Sequence, residues 1–245
     1  MSVITTNAMQ PNAAMLVIGD EILSGRTQDT NTQVIATKLT EVGINLAEVR
    51  VVSDSNEHIV SAVNTLRTAY DYVFTCGGIG PTHDDITADA IAHAFGVGIS
   101  VREDAKQILS TNYVDGEASL NEARLRMARI PEGAFLIDNP ISKAPGFYLE
   151  NVYVMAGVPS IFKAMLETLL PTLSGGSPLL SISVKFLRPE SEIAKSLEFI
   201  AANFSGGSIG SYPFNIDGIH GTNVVARHFD KVSLKAVEHE LKKLN

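Results

Sequence analysis

Apolar positions follow two alternating rhythms from Ala13 to about Pro171. Ala14–Ile18 and Tyr72–Cys76 are short unbroken apolar runs, the pattern of strands buried on both faces, and Ile44–Val52 alternates as a strand. Between them, Thr32–Val42 sets Val34, Ile35, Leu39 and Val42 at helical spacing. Asn56–Ala69 puts Ile59, Val60, Val63 and Leu66 on one helical face. Ile86–Phe95 reads as a helix stopped by Gly96, followed by helices over Ala105–Val114 and Leu120–Ala128. Phe135–Ile137 and Val152–Met155 read as later strands, and Pro159–Leu170 as a helix ended by Pro171. Strands alternating with helices predict an α/β fold: a mainly parallel sheet with helices on both faces.

The pattern changes at Ser174–Pro178, where Ser-Gly-Gly-Ser-Pro signals a linker. Beyond it come a strand (Ser181–Leu187), a helix (Pro189–Ala202), strands at Ser208–Pro213 and Thr222–His228, and a helix (Leu234–Leu244). This βαββα order predicts a small α+β domain over 178–245, after a larger one over 13–173. The polar start, Met1–Asn12, has no apolar signal core and reads as a frayed tail or an expression remnant.

Charge narrows the partners. The 245 residues carry a net charge of −8. Residues 1–175 hold 11 Lys+Arg against 20 Asp+Glu, and residues 176–245 hold 8 against 7. Neither part is a basic footprint, so nucleic acid is not the expected partner. No apolar run approaches a membrane span. The single cysteine, Cys76, excludes an internal disulfide and fits a reducing, cytoplasmic compartment. An acidic domain that binds phosphates needs backbone N–H groups or a cation to do so.

The run Gly77-Gly78-Ile79-Gly80-Pro81-Thr82-His83-Asp84-Asp85-Ile86-Thr87 offers both, between a strand and a helix. Its glycines let backbone amides approach an anion closely, and the helix start adds a favourable dipole. Thr82 and Thr87 supply hydroxyls, and Asp84 and Asp85 are candidate ligands for a hard cation. A second acidic loop, Gly19-Asp20-Glu21-Ile22-Leu23-Ser24-Gly25 with Asp29-Thr30-Asn31, follows the first strand. It lies on the same rim if the strands are parallel. From it we take Gly19, Asp20, Glu21 and Asn31 as candidate site residues; the competing reading has Asp29 or Thr30 capping the next helix. Asp54, in Asp54-Ser55-Asn56-Glu57, has the form of a capping box and reads from the residues alone as a cap. Cys76 reads as a small core residue. His83 is open between a phosphate contact and a solvated turn residue. In the tail, Gly207–Gly210 and Gly218–Gly221 have a G-x-x-G spacing but no Lys or Arg, so they read as turns rather than nucleic-acid clamps.

With these residues in view, the Gly77–Thr87 run resembles the signature of the MoaB/Mog molybdopterin-binding fold, and within it the CinA (competence/damage-inducible) family. Supporting matches are Gly19–Gly25 with Asp29-Thr30-Asn31, Asn139-Pro140 through Lys143-Ala144-Pro145-Gly146-Phe147, and Ala156-Gly157-Val158-Pro159. Ala156 departs from a proline usual in that family, and His83 stands where many relatives have arginine. The tail resembles the KH-like domain that follows in CinA proteins. The amidohydrolase domain of full-length members has no counterpart in these residues, so deamidation is not expected of them.

The resemblance implies a three-layer α/β/α fold and an oligomer, with a dimer favoured. It places Gly77, Gly78, Gly80 and Thr82 at phosphate-binding positions and adds Pro81, Pro145, Gly146, Gly157 and Pro159 to the ligand-binding set. It ties Asp54 and Asp85 to metal and pterin-phosphate chemistry, reversing the reading of Asp54 as a cap, and with Asp84 from the loop these form the metal set. The implied activity is hydrolysis of a pyrophosphate bond in ADP-ribose or FAD, dependent on Mg²⁺, Mn²⁺, Co²⁺ or Ni²⁺ with K⁺ alongside. Asp85 and Asp54 would act in the chemistry, with Asp20 or Glu21 taking the proton from water. No tightly held organic cofactor is expected. The alternatives are molybdopterin binding or adenylylation at the same site, and a non-catalytic nucleotide sensor.

Overall fold

The computed structural model describes residues 10–244, so Met1–Met9, most of the expected tail, lie outside the described residues. The chain divides into two compact units, the first ending at Gly176 and the second starting at Ser177. The first is built on a six-stranded sheet. Its strands are β1 (Asn12–Ile18), β2 (Asn45–Val52), β3 (Tyr72–Cys76), β6 (Phe135–Ile137), β7 (Gly146–Leu149) and β8 (Val152–Met155), in the order β2-β1-β3-β8-β7-β6. Pairing is parallel from β2 through β8 and antiparallel at β7 and β6. β4 (Ile99–Val101) and β5 (Arg129–Pro131) form a separate antiparallel ribbon.

The apolar run of β1 explains the layering. Successive side chains point to opposite faces of a strand, so an unbroken apolar run must be covered on both. Ala14, Leu16 and Ile18 pack with Ile59, Val63 and Leu66 of α3 (Asn56–Ala69) and Ala90 and Ile91 of α4 (Thr87–Phe95). Met15 and Val17 pack on the other face, with Ile35 and Leu39 of α2 (Asn31–Glu41) and Phe162, Met165 and Leu166 of α7 (Pro159–Leu169). The result is the expected three-layer α/β/α arrangement.

Local details depart from the pattern-based reading. The helix expected over Ala105–Val114 is α5 (Glu103–Ser110), followed by turns. That expected over Leu120–Ala128 shrinks to α6 (Glu122–Arg126). Asn121 caps α6 by accepting from the Arg124 amide at 2.9 Å, and the chain then leaves as β5 to pair with β4. β7 was not anticipated because its four residues follow Pro145 with no alternation. Gly146 begins it with an approach only glycine permits: a methyl there would overlap the Val154 carbonyl of β8 and Met165 of α7. A one-turn helix, α1 (Asp20–Leu23), follows β1 directly.

The second unit is a three-stranded antiparallel sheet, β10 (Ser208–Ile216), β11 (Ile219–His228) and β9 (Leu180–Phe186) in that order, with α8 (Glu190–Ala202) and α9 (Lys231–Lys242). Val184, Phe186, Ile193, Leu197, Val224, Leu234 and Leu241 form its core. Asp217 and Gly218 make the β10–β11 turn with φ of 50° and 79°, the geometry of a tight two-residue hairpin. Both G-x-x-G stretches are thereby taken up in strands and their turns.

Candidate functional site

Parallel pairing brings the carboxyl ends of β1, β2, β3 and β8 to one rim of the sheet. A cleft of about 460 Å³ opens there. Gly19 and Glu21 reach it from β1, Asp54 from β2, Gly77, Gly78, Gly80, Pro81, Asp84 and Asp85 from β3, and Gly157 from β8. Separate stretches of sequence thus converge on one space.

The glycine loop is shaped by backbone crowding. Gly77 has φ 106°, and a methyl on it would overlap the Ile18 carbonyl of the neighbouring strand. Gly78 has φ 66°, with Thr87 Oγ1 against the space a methyl would need. The Gly77 amide bonds to the Met155 carbonyl at 3.2 Å. Among the described residues, none accepts a hydrogen bond from the amides of Gly78, Ile79 or Gly80. Three successive unpartnered donors beside a cleft suit a phosphate group.

The acidic side chains divide by role. Asp85 Oδ2 accepts from the Thr82 amide at 2.8 Å and the Thr82 hydroxyl at 2.6 Å, closing the loop on itself. The Thr82 hydroxyl is thus committed to Asp85. Asp54 is not a helix cap: Ser55 occupies that position in α3 with no side-chain capping bond, and Asp54 Oδ2 accepts from the Asp20 amide at 2.9 Å. Burial lifts the Asp54 carboxyl above the ordinary carboxylate range. The Asp20 amide opposes this, while the negative charges of Asp20, Glu21 and Asp84 add to it. Glu21, Asp54, Asp84 and Asp85 line the cleft together, and among the described residues no Lys or Arg lines it.

That donor set bears on a bound cation. Among the described residues, no three acidic, His or Cys side chains are gathered closely enough to cage a metal. Two carboxylates together with substrate phosphate oxygens are the usual way a Mg²⁺-like ion is held, and the cleft offers that arrangement. Asp85, with Asp54 or Asp84, would hold it.

Several expected contacts prove structural. Thr87 is fully buried and donates its hydroxyl to the Gly77 carbonyl at 2.9 Å, so it shapes the loop rather than meeting a ligand. Gly146 is buried in the β7–β8 packing, while Pro145 borders a small cavity with Gly80 and Asp85 beside the cleft. Asn31, 5% exposed, donates Nδ2 to the Gly157 carbonyl at 2.8 Å and braces the β8 turn from behind. Pro159 opens α7 and borders a smaller cavity with Asn31 and Cys76. Asp20 is exposed and contributes its backbone amide, not its carboxylate, to the Asp54 contact. Asp29 accepts from the Asn31 and Thr32 amides at 2.9 and 3.2 Å, the helix-start role of the competing reading. His83 is fully exposed, with Nδ1 3.9 Å from Asp84. Burial pushes the Cys76 thiol up to about 12, so it is not a nucleophile.

Sequence reasoning missed two contributors. Asn139 is 1% exposed and ties the 139–146 loop together, donating to Ser142 Oγ at 2.7 Å and to the Ala144 carbonyl at 2.8 Å. Arg126 donates Nη2 to the Asp85 carbonyl at 3.1 Å from behind the loop. An Arg at the end of a short helix carries no sequence signal for this contact.

The raised Asp54 carboxyl gives a stability prediction. A carboxyl whose pKa is raised on folding costs stability where it is ionised. The cost is absent below the ordinary carboxylate range and complete above the raised value. Asp54→Asn, which keeps an acceptor for the Asp20 amide, is expected to raise the thermal midpoint of metal-free protein at about pH 7. The gain should vanish near about pH 3. Calorimetry across that range checks this, and a lower midpoint at neutral pH would refute it.

Comparison with known proteins follows the same division. Residues 14–175 match the family described as "Probable molybdopterin binding domain", and residues 178–245 match "FAD synthase, middle domain". A CinA-like protein of Desulfosudis oleivorans is 37% identical over 205 residues, 79% of this chain and 50% of the relative. A "Probable FAD synthase" of Caenorhabditis briggsae is 30% identical over 257 residues, 95% of this chain and 49% of the relative. The chain therefore spans about half the length of these two. The crystal structure of a CinA protein of unknown function from Thermoplasma acidophilum superposes with a TM-score of 0.63 at 34% identity, over 66% of this chain and 98% of that one. No helix among the described residues is long and apolar enough to cross a membrane.

Proposed function

This chain belongs to the CinA branch of the molybdopterin-binding domain family, and from that membership we propose that it is a metal-dependent nucleotide pyrophosphatase. Its substrates would be dinucleotide-type compounds such as ADP-ribose or FAD, split into two monophosphates. The observation that carries this is the composition of the cleft: three unpartnered loop amides and four carboxylates with no basic side chain. A pyrophosphate placed among four carboxylates is repelled unless a cation accompanies it. The likeness to half of an FAD synthase, across both units, supports a nucleotide as ligand.

In this reading the amides of Gly78, Ile79 and Gly80 hold one phosphate of the pyrophosphate. Asp85, with Asp54 or Asp84, would hold a divalent cation, which when bound would supply charge neutralisation and acidify a water. Glu21, which lines the cleft where Asp20 does not, would accept the proton as water oxygen bonds to phosphorus. The P–O bond of the bridging oxygen breaks, and its charge stays on the departing monophosphate. Met127, Val158 and Ile161 give the cleft an apolar wall for the remainder of the ligand.

The test is chromatographic detection of AMP from ADP-ribose, FAD and NAD⁺, with a pterin phosphate alongside, with and without each of Mg²⁺, Mn²⁺, Co²⁺ and Ni²⁺ and with K⁺. Metal-dependent AMP release supports the proposal. Tight pterin binding with no product would favour the molybdopterin-binding or adenylylating alternative, to which the name of the matched family also points. Nucleotide binding without turnover would favour a sensor.

A further inference from the structure

The small cavity beside the cleft is bordered by Gly80 and Asp85 of the glycine loop, by Asp89, and by two arginines, Arg126 and Arg129. Arg129 is committed: its terminal nitrogens bond the two carboxylate oxygens of Asp89 at 2.6 and 2.8 Å. Arg126 makes no ion pair among the described residues. Its one hydrogen bond among them runs from Nη2 to the Asp85 carbonyl at 3.1 Å, and its Nε is buried without an acceptor. A half-buried cation ordinarily pairs with an anion, so this lone contact calls for a reason.

The Asp85 carbonyl depends on it. As α4 begins, the Ile86 carbonyl is taken up by the Ala90 amide at 2.9 Å. One residue earlier, no backbone amide among the described residues donates to Asp85, and Arg126 does so instead. Asp85 is therefore held twice. Thr82 grips its carboxylate through the amide and the hydroxyl, and Arg126 grips its main chain. The Thr82 contacts lie within the loop and move with it. Arg126 ends α6, outside the loop, so its contact ties the loop to the rest of the unit. The carboxylate is also set against Gly80, where a methyl would come within 2.6 Å of Asp85 Oδ2.

We propose that Arg126 is the positioning residue of the cation site: by clamping the Asp85 carbonyl it fixes where the Asp85 carboxylate stands relative to Asp54 and Asp84. This rests on the reading of the cleft as a site for a divalent cation and phosphate. Residues behind a metal's ligands commonly set its affinity by orienting those ligands. The clamp carries a sign that charge alone does not. A guanidinium near the site repels a cation, so deleting its charge would by itself tighten metal binding. Deleting the clamp loosens it.

Mn²⁺ binding to the full chain, read from the paramagnetic resonance signal of the free ion, tests this without turnover. Arg126→Met should weaken Mn²⁺ binding about tenfold, although it removes a repelling charge. Arg126→Gln, too short to reach the carbonyl, carries the same expectation should the methionine variant fail to fold. Arg126→Lys keeps a donor for the carbonyl and should stay within about threefold of the parent. Arg129→Met is the control from the same cavity. It breaks the bonds to Asp89 and should lower the thermal midpoint, yet leave Mn²⁺ affinity within about twofold of the parent. Unchanged or tighter binding by folded Arg126→Met or Arg126→Gln would overturn the clamp and leave the cation site standing. So would a lysine variant as weak as these two, or an equal loss in Arg129→Met. A parent that binds no Mn²⁺ would overturn the cation site itself, and the clamp with it.

Discussion

Asp85→Asn is expected to lower kcat/KM for metal-dependent AMP release by about 10³-fold, with the thermal midpoint little changed. Asparagine retains an oxygen that can accept the Thr82 amide and hydroxyl bonds closing the loop, so the fold has no reason to fail. What it loses is one of the negative charges that would hold the cation against the substrate's phosphates. The metal concentration for half-maximal activity should rise together with the fall in rate. Steady-state kinetics over a metal titration, paired with calorimetry of the same protein, checks both. A folded Asp85→Asn protein with parental turnover would remove the proposed chemistry from this loop.

Gly77→Ala should be among the most damaging single methyls in the first unit. Gly77 sits at φ 106° on the last turn out of β3, and its added carbon would overlap the Ile18 carbonyl of β1. Neither side can yield cheaply, because the obstacle is backbone within the central parallel pair. A cost on the order of 3 kcal/mol or more is expected, enough to consume a large part of a domain's stability. Denaturant unfolding measures it. Gly25→Ala is the contrast: φ is 72° but nothing lies within 4 Å, so only the conformational penalty remains. Equal losses at the two positions would show that the Ile18 contact does not matter.

The sequence revealed the layers because burial on both faces leaves unbroken apolar runs such as Ala14–Ile18, and those runs force helices onto either side. The loop Gly77–Thr87 was legible for a related reason: its glycines, carboxylates and hydroxyls are consecutive, and consecutive residues need no tertiary knowledge to be placed together. Direction was harder to read. Thr87 looked like a ligand hydroxyl, but the helix it opens turns it inward to the Gly77 carbonyl. Asp54 looked like a cap because a capping box and a carboxylate after a strand share a pattern; only the parallel pairing of β1 with β2 brings it to the Asp20 amide. Arg126 and Asn139 were invisible as contributors since each acts through one backbone carbonyl or one loop, contacts that leave no periodicity.

The floor of the cleft is mostly main chain. Gly19, Gly77, Gly78, Gly80 and Gly157 meet there, and Gly157 lies so close to Gly77 that a methyl on it would come within 3.1 Å of the Gly77 Cα. A surface without side chains can register a phosphate but cannot tell one base or pterin from another. Whatever discrimination the protein has must reside in the walls, where Met127, Val158 and Ile161 are apolar and Met127 adapts readily to shape. Such a division lets a lineage keep its anion cradle fixed while exchanging a few wall residues to change clientele. One scaffold could in this way serve cofactor assembly in one protein and nucleotide housekeeping in another.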